Sequence, residues 1–291
     1  MKANPIGIEG IIFFQAHRGG GGYEMPDNTI AACKYGWDLG AIPEIDVRNT
    51  KDGKIICLHD DTLRRTTNAG CDIADKPVEI LNFDDIKNLD AGSYFSPQYK
   101  KERIPLLTDI FNIMKNNERL YLYIDLKKID SKTIIENIKS HNMEKQCILC
   151  SSDISLLLSI KDALPSSQLM QWIGGSKQEI EQKFHQTASH AIKKLDQIQI
   201  HLNDKEKPDK IWRYTADKDF LENALEITRN CNVDLEVFPW HFEKSDIFNL
   251  LDIGIRWFAT DRPKQFYSFA KEWLEKMSRV INFSSSAFSL S

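Results

Sequence analysis

From residue 106 onward, short runs of apolar and β-branched residues alternate with longer stretches whose apolar positions recur at helical spacing. This pattern predicts helices over 106–115, 131–141, 153–163, 177–194, 217–230, 243–251 and 263–276. Between them it predicts strands over 120–126, 146–151, 168–173, 197–202, 233–240 and 255–259. The same alternation begins earlier in the chain. Residues 11–16 read as a buried strand, 28–39 as a helix opened by Asn28 or Thr29 and stopped by Gly40, and 42–47 as a second strand. After a turn at 50–54, residues 55–58 read as a short hairpin partner. Leaving that partner aside, eight strand-helix units remain, which argue for a parallel sheet closed into a (β/α)8 TIM barrel.

One segment breaks the rhythm. Residues 60–105 are rich in turn formers and hold only a short expected helix at 84–89, so they read as a small insertion after the second strand that lids or flanks the site. The whole chain, 1–291, is therefore read as a single barrel domain carrying that insertion, with a Ser-rich, frayed tail at 281–291.

A barrel of this kind collects its chemistry at the carboxyl ends of its strands. His17 and Arg18 follow the first strand and open a run of four glycines. Glu44 and Asp46 lie two apart in the second strand, so both carboxylates project from one face. Two like charges so placed call for a cation between them. The hairpin partner delivers His59 and Asp60, and the third barrel strand ends in Asp125-Leu126-Lys127. Glu44, Asp46 and Asp125 facing one volume form an all-oxygen donor set, which favours Mg²⁺ or Ca²⁺ over zinc. Arg18 and Lys127 suit the non-bridging oxygens of a phosphodiester. His17 and His59 suit two proton transfers near neutral pH, and the spacing leaves open which is acid and which is base. Trp240 divides about evenly between core packing and a substrate wall, with a choline-type cation as one ligand for its ring face. Trp172 reads as core, Asp261 as the N-cap of the closing helix, and His141, His185, His190, His201 and His241 as structural or exposed.

Six ordered blocks stand close together: His17-Arg18-Gly19, Pro26-Asp27-Asn28-Thr29, Gly40-Ala41 with Glu44-Ile45-Asp46-Val47, Thr50-Lys51-Asp52-Gly53, His59-Asp60 and Arg65-Thr66-Thr67. Together they resemble the glycerophosphodiester phosphodiesterase family, with weaker echoes at Asp90, Asp125 to Lys127 and Thr260 to Pro263. Asp27 and Asp125 stand where the family usually has Glu, and extra glycines lengthen the loop after Arg18. The resemblance implies metal-dependent hydrolysis of small-molecule glycerophosphodiesters to sn-glycerol 3-phosphate and an alcohol, with a glycerol hydroxyl as nucleophile and a cyclic phosphate on the way. Two alternatives stay open beside it. One is a lysophospholipid or other phosphodiester hydrolase on the same barrel. The other is a catalytically silent barrel that binds phosphodiesters, with Asp27 and Asp125 marking drift.

Composition narrows the classes. Hydrophobic content of 42% and charged content of 27% are ordinary for a soluble globular chain. A net charge of -4 lacks the basic surplus that a nucleic-acid partner needs. No apolar run approaches the roughly 20 residues that span a bilayer. No long apolar stretch precedes His17, so no secretory signal is visible. The six cysteines have no zinc-finger spacing; Cys147 and Cys150 lie inside an apolar strand and read as buried thiols. Cytoplasm and export remain equally open, as does oligomeric state.

Overall fold

Eight parallel strands close on themselves in a computed structural model that describes residues 5–20, 22–207 and 211–288, with side chains as far as 279. They are β1 (Phe13–Ala16), β2 (Ile42–Asn49), β4 (Leu122–Lys128), β5 (Cys147–Ser151), β6 (Gln168–Ile173), β7 (Gln197–Leu202), β8 (Asp234–Pro239) and β9 (Trp257–Thr260). Each pairs with the next, and β1 pairs with both β9 and β2, which closes the ring. The ninth strand, β3 (Ile55–Cys57), runs antiparallel along the end of β2. The architecture is the expected TIM barrel.

The helices form where the apolar spacing placed them: α1 (Ile30–Asp38), α3 (Leu107–Met114), α4 (Ser131–Ser140), α5 (Ile154–Ala163), α6 (Lys177–His190), α7 (Lys218–Asn230), α8 (Lys244–Asp252) and α9 (Pro263–Phe288). Side-chain caps start several of them. Thr29 accepts from the Ala32 N–H, Asp130 from Thr133, Asp153 from Ser155 and Leu156, and Ser176 from Glu179. Each such cap satisfies N–H groups that the first turn cannot pair internally, a contribution of about 1 kcal/mol. The helices bury their apolar faces on the outside of the strands in one continuous cluster that includes Ile45, Phe111, Ile124, Leu149, Phe184 and Phe258. Truncating a fully buried ring such as Phe111 to alanine would cost about 3–5 kcal/mol.

The excursion between β3 and α3 is built on its own small core. Ile56, Leu58, Leu63, Val78, Leu81, Ile86, Ala91 and Ile104 form a separate buried cluster. Its one α-helix, α2 (Phe83–Ile86), is shorter than the expected 84–89. The other differences lie at ends. β1 begins at Phe13, because Ile12 is engaged in a local bridge with Ile8. α6 stops at His190 and is followed by a separate 3-10 turn at Ile192–Lys194. α9 continues to Phe288, past the expected Lys276, and the last three positions of the Ser-rich tail lie outside the described residues. Cys147 and Cys150 are buried free thiols, as read.

Candidate active site

The first loop is shaped by backbone strain. Arg18 follows β1 with φ of 50° and Gly19 with φ of 81°, both in the left-handed region. Gly19 is required twice over, because a Cβ there would also overlap the Ala32 side chain. In return, the Arg18 N–H points inward and donates to Glu44 Oε2 at 2.8 Å. Its guanidinium lies 3.3 Å from Asp27 Oδ2 and 3.7 Å from Asp46 Oδ2, and its Nε is buried without a hydrogen-bond partner. One donor of this buried cation is thus left with ion pairs but no hydrogen bond.

Strand register assembles the carboxylates. Asp46 on β2 is the direct partner of Asp125 on β4, and Glu44 shares the Asp46 face. One oxygen from each of the three lies within 4.8 Å of the others, and all three residues are buried. Asp125 thus reaches the cluster although its side chain is a methylene shorter than the expected Glu. It is steered there by Lys127 Nζ at 2.6 Å on Oδ2 and by the Trp172 indole N–H at 3.3 Å on Oδ1. Lys127 Nζ also stands 3.1 Å from Asp46 Oδ1. Asn28 holds the other oxygen of Asp46 at 2.9 Å.

The electrostatics of this cluster are unbalanced. Burial, reinforced by the neighbouring Asp46 charge, pushes Glu44 up to about 8. Burial also acts to raise Asp46, but Lys127, His59 and Arg18 overcome it and hold that carboxyl at about 2. Asp125 is raised, because its burial outweighs Lys127. A hard divalent cation among these oxygens would offset the burial penalty and cancel the added repulsion from Asp46 that together drive Glu44 toward its neutral form, so the residues fit such an ion.

Each histidine is anchored by a carboxylate on its Nδ1. For His17 the partner is Asp261 Oδ1 at 2.6 Å, and its Nε2 lies 4.0 Å from Glu44 Oε2. For His59 it is Asp60 Oδ1 at 2.8 Å. Asp261, expected as an N-cap, is therefore a partner of His17. Burial works to lower His17, yet Asp261 outweighs it and the pKa is raised. For His59 burial prevails, and the pKa is lowered. Asp60 is gripped in turn by Arg65, which donates from Nε at 2.7 Å and Nη2 at 3.0 Å, while Arg65 Nη1 reaches Asp27 Oδ2 at 2.9 Å. The excursion thus braces the site through Arg65, and Asp27, with its shorter side chain, still joins Arg65 to Arg18.

His17, Arg18, Glu44, His59, Asp125, Lys127, Trp172 and Trp240 line one cavity of about 200 Å³ at the carboxyl ends of the strands. Of the expected site residues, only Asp46 sits just behind its lining, at zero exposure. Trp172, read as core, is half-buried in the cavity wall. Lys127 lies over its ring at 5.9 Å and His201 stacks on it at 5.3 Å. Trp240 is 37% exposed at the rim. Sequence reasoning missed Asn28 and Asp261 as partners of site groups, and also Gln15, Gln199 and His201 in the lining. Applying the strand-end rule to β7 as strictly as to β2 would have picked out His201.

The profile of the Glycerophosphoryl diester phosphodiesterase family matches residues 17–265. A glycerophosphodiester phosphodiesterase of Caldanaerobacter subterraneus subsp. tengcongensis is 28% identical over 270 residues, covering 88% of this chain and 97% of its own. One from Bacillus subtilis is 26% identical over 279 residues, covering 88% and 85%. Among solved structures, an Oleispira antarctica phosphodiesterase in complex with the product sn-glycerol-3-phosphate shares the fold with a TM-score of 0.67 at 20% identity, over 89% of this chain and 97% of that one. Since the profile match runs from His17 through both histidines, the carboxylates and the aromatic wall to the start of α9, the chain belongs to the glycerophosphoryl diester phosphodiesterase family.

Proposed function

We propose that the protein is a glycerophosphodiester phosphodiesterase that hydrolyses its substrate to sn-glycerol 3-phosphate and an alcohol, with residues 1–291 acting as one barrel domain. The observation that carries this reading is the trio of carboxylate oxygens within 4.8 Å of one another, beside two histidines that each have a carboxylate on Nδ1. Glu44, Asp46 and Asp125 would hold the cation, Mg²⁺ or Ca²⁺, which when bound supplies Lewis-acid polarisation of the phosphodiester. Arg18 and Lys127 neutralise charge on the non-bridging oxygens as it grows in the transition state. With Nδ1 of both rings committed, Nε2 is the working nitrogen of His17 and of His59. One ring takes the proton of the attacking hydroxyl and the other protonates the oxygen of the departing alcohol, so the pair returns to its starting protonation after water opens the cyclic phosphate.

For the head group, Trp240 is the more exposed ring, at the rim with Phe238 packed against it at 4.2 Å. Trp172 already carries Lys127 and His201, which leaves it a wall for the site and a poor seat for a choline-type cation. The experiment is release of sn-glycerol 3-phosphate from glycerophosphocholine and glycerophosphoethanolamine, with Mg²⁺, with Ca²⁺ and after EDTA. Release that needs a divalent ion supports the reading. Cleavage of an acylated lysophospholipid alone would move the substrate class, and metal binding without any turnover would favour a silent phosphodiester-binding barrel.

A further inference from the structure

The third carboxylate of the cluster is held by a side chain two strands away. Asp125 on β4 is the register partner of Cys150 on β5, and Cys150 is the partner of Met170 on β6. Trp172 lies two residues past Met170 on the same face, so its indole reaches back over β5 and its N–H stands 3.3 Å from Asp125 Oδ1. Lys127 holds the other oxygen at 2.6 Å. That ammonium is shared with Asp46 at 3.1 Å and sits on a flexible stem. The indole N–H therefore sets how the Asp125 carboxylate is turned, provided the indole itself is held.

What holds the indole is His201. Trp172 is the register partner of Gln199 on β7, and His201 follows two residues on. Its ring meets the indole face to face, 5.3 Å between centroids and 6° between planes. The histidine ring is pinned in turn. Gln199 Nε2 donates to Gln15 Oε1 at 3.1 Å and to Glu236 Oε2 at 2.8 Å, which commits both amide hydrogens and leaves Oε1 to accept from His201 Nε2 at 3.0 Å. Gln15, Gln199 and Glu236 are all buried, and turning the amide over would break both of its donor bonds inside the barrel. The other ring nitrogen, Nδ1, lies against the backbone after β6, where a Cβ added at Gly174 would stand 2.8 Å from it. Phe238 and Trp240 meet the ring edge-on at 5.4 Å and 5.3 Å.

We propose that His201 is a positioning residue for the cation site: it holds the Trp172 indole, and the indole turns Asp125 into the arrangement that takes Mg²⁺ or Ca²⁺. This rests on the proposed cation site at Glu44, Asp46 and Asp125. The contacts run unbroken from Glu236 and Gln15 through Gln199, His201 and Trp172 to Asp125, so a buried polar ladder that the proposed chemistry does not use supports one ligand of the ion. Removing a partner that orients a metal ligand costs about ten- to a hundredfold in affinity.

The test is isothermal titration of the full chain with Mg²⁺ and with Ca²⁺, each variant checked for its fold by a thermal melt. Trp172→Phe keeps a ring and loses the N–H, and should bind about tenfold more weakly, the lower end of that range because the hydrogen bond is long. His201→Ala leaves every ligand and the indole N–H in place, and should lose a similar factor. His201→Phe returns a flat ring and should recover most of it. In the double variant the two losses should not add, since both act on one contact. Gly174→Ala reaches the ring from outside the ladder: its φ is not in the left-handed region, and the new methyl meets the His201 ring first. It should weaken binding in the otherwise unaltered chain and have no effect beside His201→Ala. Full affinity in a folded His201→Ala, or losses that add in the double variant, overturns the proposal. If His201→Ala does not fold, full affinity in Gly174→Ala overturns it. An unaltered protein that binds neither ion overturns the cation site itself and this proposal with it, so the two failures are told apart.

Discussion

Asn28 clasps Asp46 from both sides: its Nδ2 donates to Asp46 Oδ2 at 2.9 Å, and its Oδ1 accepts from the Asp46 N–H at 2.8 Å. The clasp is possible because Asn28 sits at φ of 57°, a left-handed conformation that asparagine tolerates better than most residues. Thr29, one residue on, does the capping of α1.

Asn28→Gly keeps that backbone and deletes the clasp. It should weaken Mg²⁺ or Ca²⁺ binding by about ten- to a hundredfold, the usual loss when a partner that orients a metal ligand is removed. Isothermal titration with the ion reads this directly. Unchanged affinity would mean that β2 alone orients Asp46.

Arg65 joins Asp60, the partner of His59, to Asp27. Its side chain is 45% exposed and the buried Asp27 keeps its pair with Arg18, so losing the Arg65 ion pairs costs little stability. Arg65→Met should therefore leave Tm nearly unchanged while kcat falls about ten- to a hundredfold, because His59 loses its fixed orientation. Steady-state kinetics beside a thermal melt separates the two effects.

Gly19→Ala should destabilise the protein by at least about 1–3 kcal/mol, since φ of 81° is strained for alanine and the new methyl would press on Ala32. Chemical denaturation measures it. A loss under about 0.5 kcal/mol, the range of a neutral surface change, would mean that the loop relaxes.

The metal-free protein should lose stability between pH 6.5 and 8. Glu44 and Glu236 are both pushed up to about 8 from 4.5, chiefly by burial. Below about 8 each holds a proton in the folded state that the unfolded chain has already lost, so raising the pH favours unfolding. His17, raised above 6.5, acts in the same direction. His59 and His201 are lowered, so they oppose the trend only until the unfolded rings have shed their protons, within about one pH unit above 6.5. Each contributing group changes stability by at most about 1.4 kcal/mol per pH unit. Melting curves across this window should slope downward, less steeply in Glu236→Gln and less steeply with saturating Mg²⁺. A Tm that rises with pH would contradict the burial of these groups.

Much of this was legible in the sequence because the barrel repeats one pattern. Parallel strands buried on both faces read as apolar runs, and helices packed on one side read as amphipathic. Glu44 and Asp46 were legible because strand alternation is local. The partners that complete the site were not. Asp261 meets His17 across 244 residues, a pairing that no spacing announces. Asn28 looked like a cap because its residue type serves both purposes, and only its positive φ separates them. His201 was set aside as a lone histidine, since its meaning comes from Gln15 and Glu236 on other strands.

The most direct measurement is kcat on glycerophosphocholine for His17→Ala and His59→Ala at saturating Mg²⁺ or Ca²⁺, each checked for an intact fold and for metal binding. If the two rings carry the two proton transfers, each variant keeps its fold and its metal while turnover drops by about 10²–10⁴-fold. If either variant, folded and metal-loaded, turns over at close to the unaltered rate, that histidine does not move a proton in the reaction.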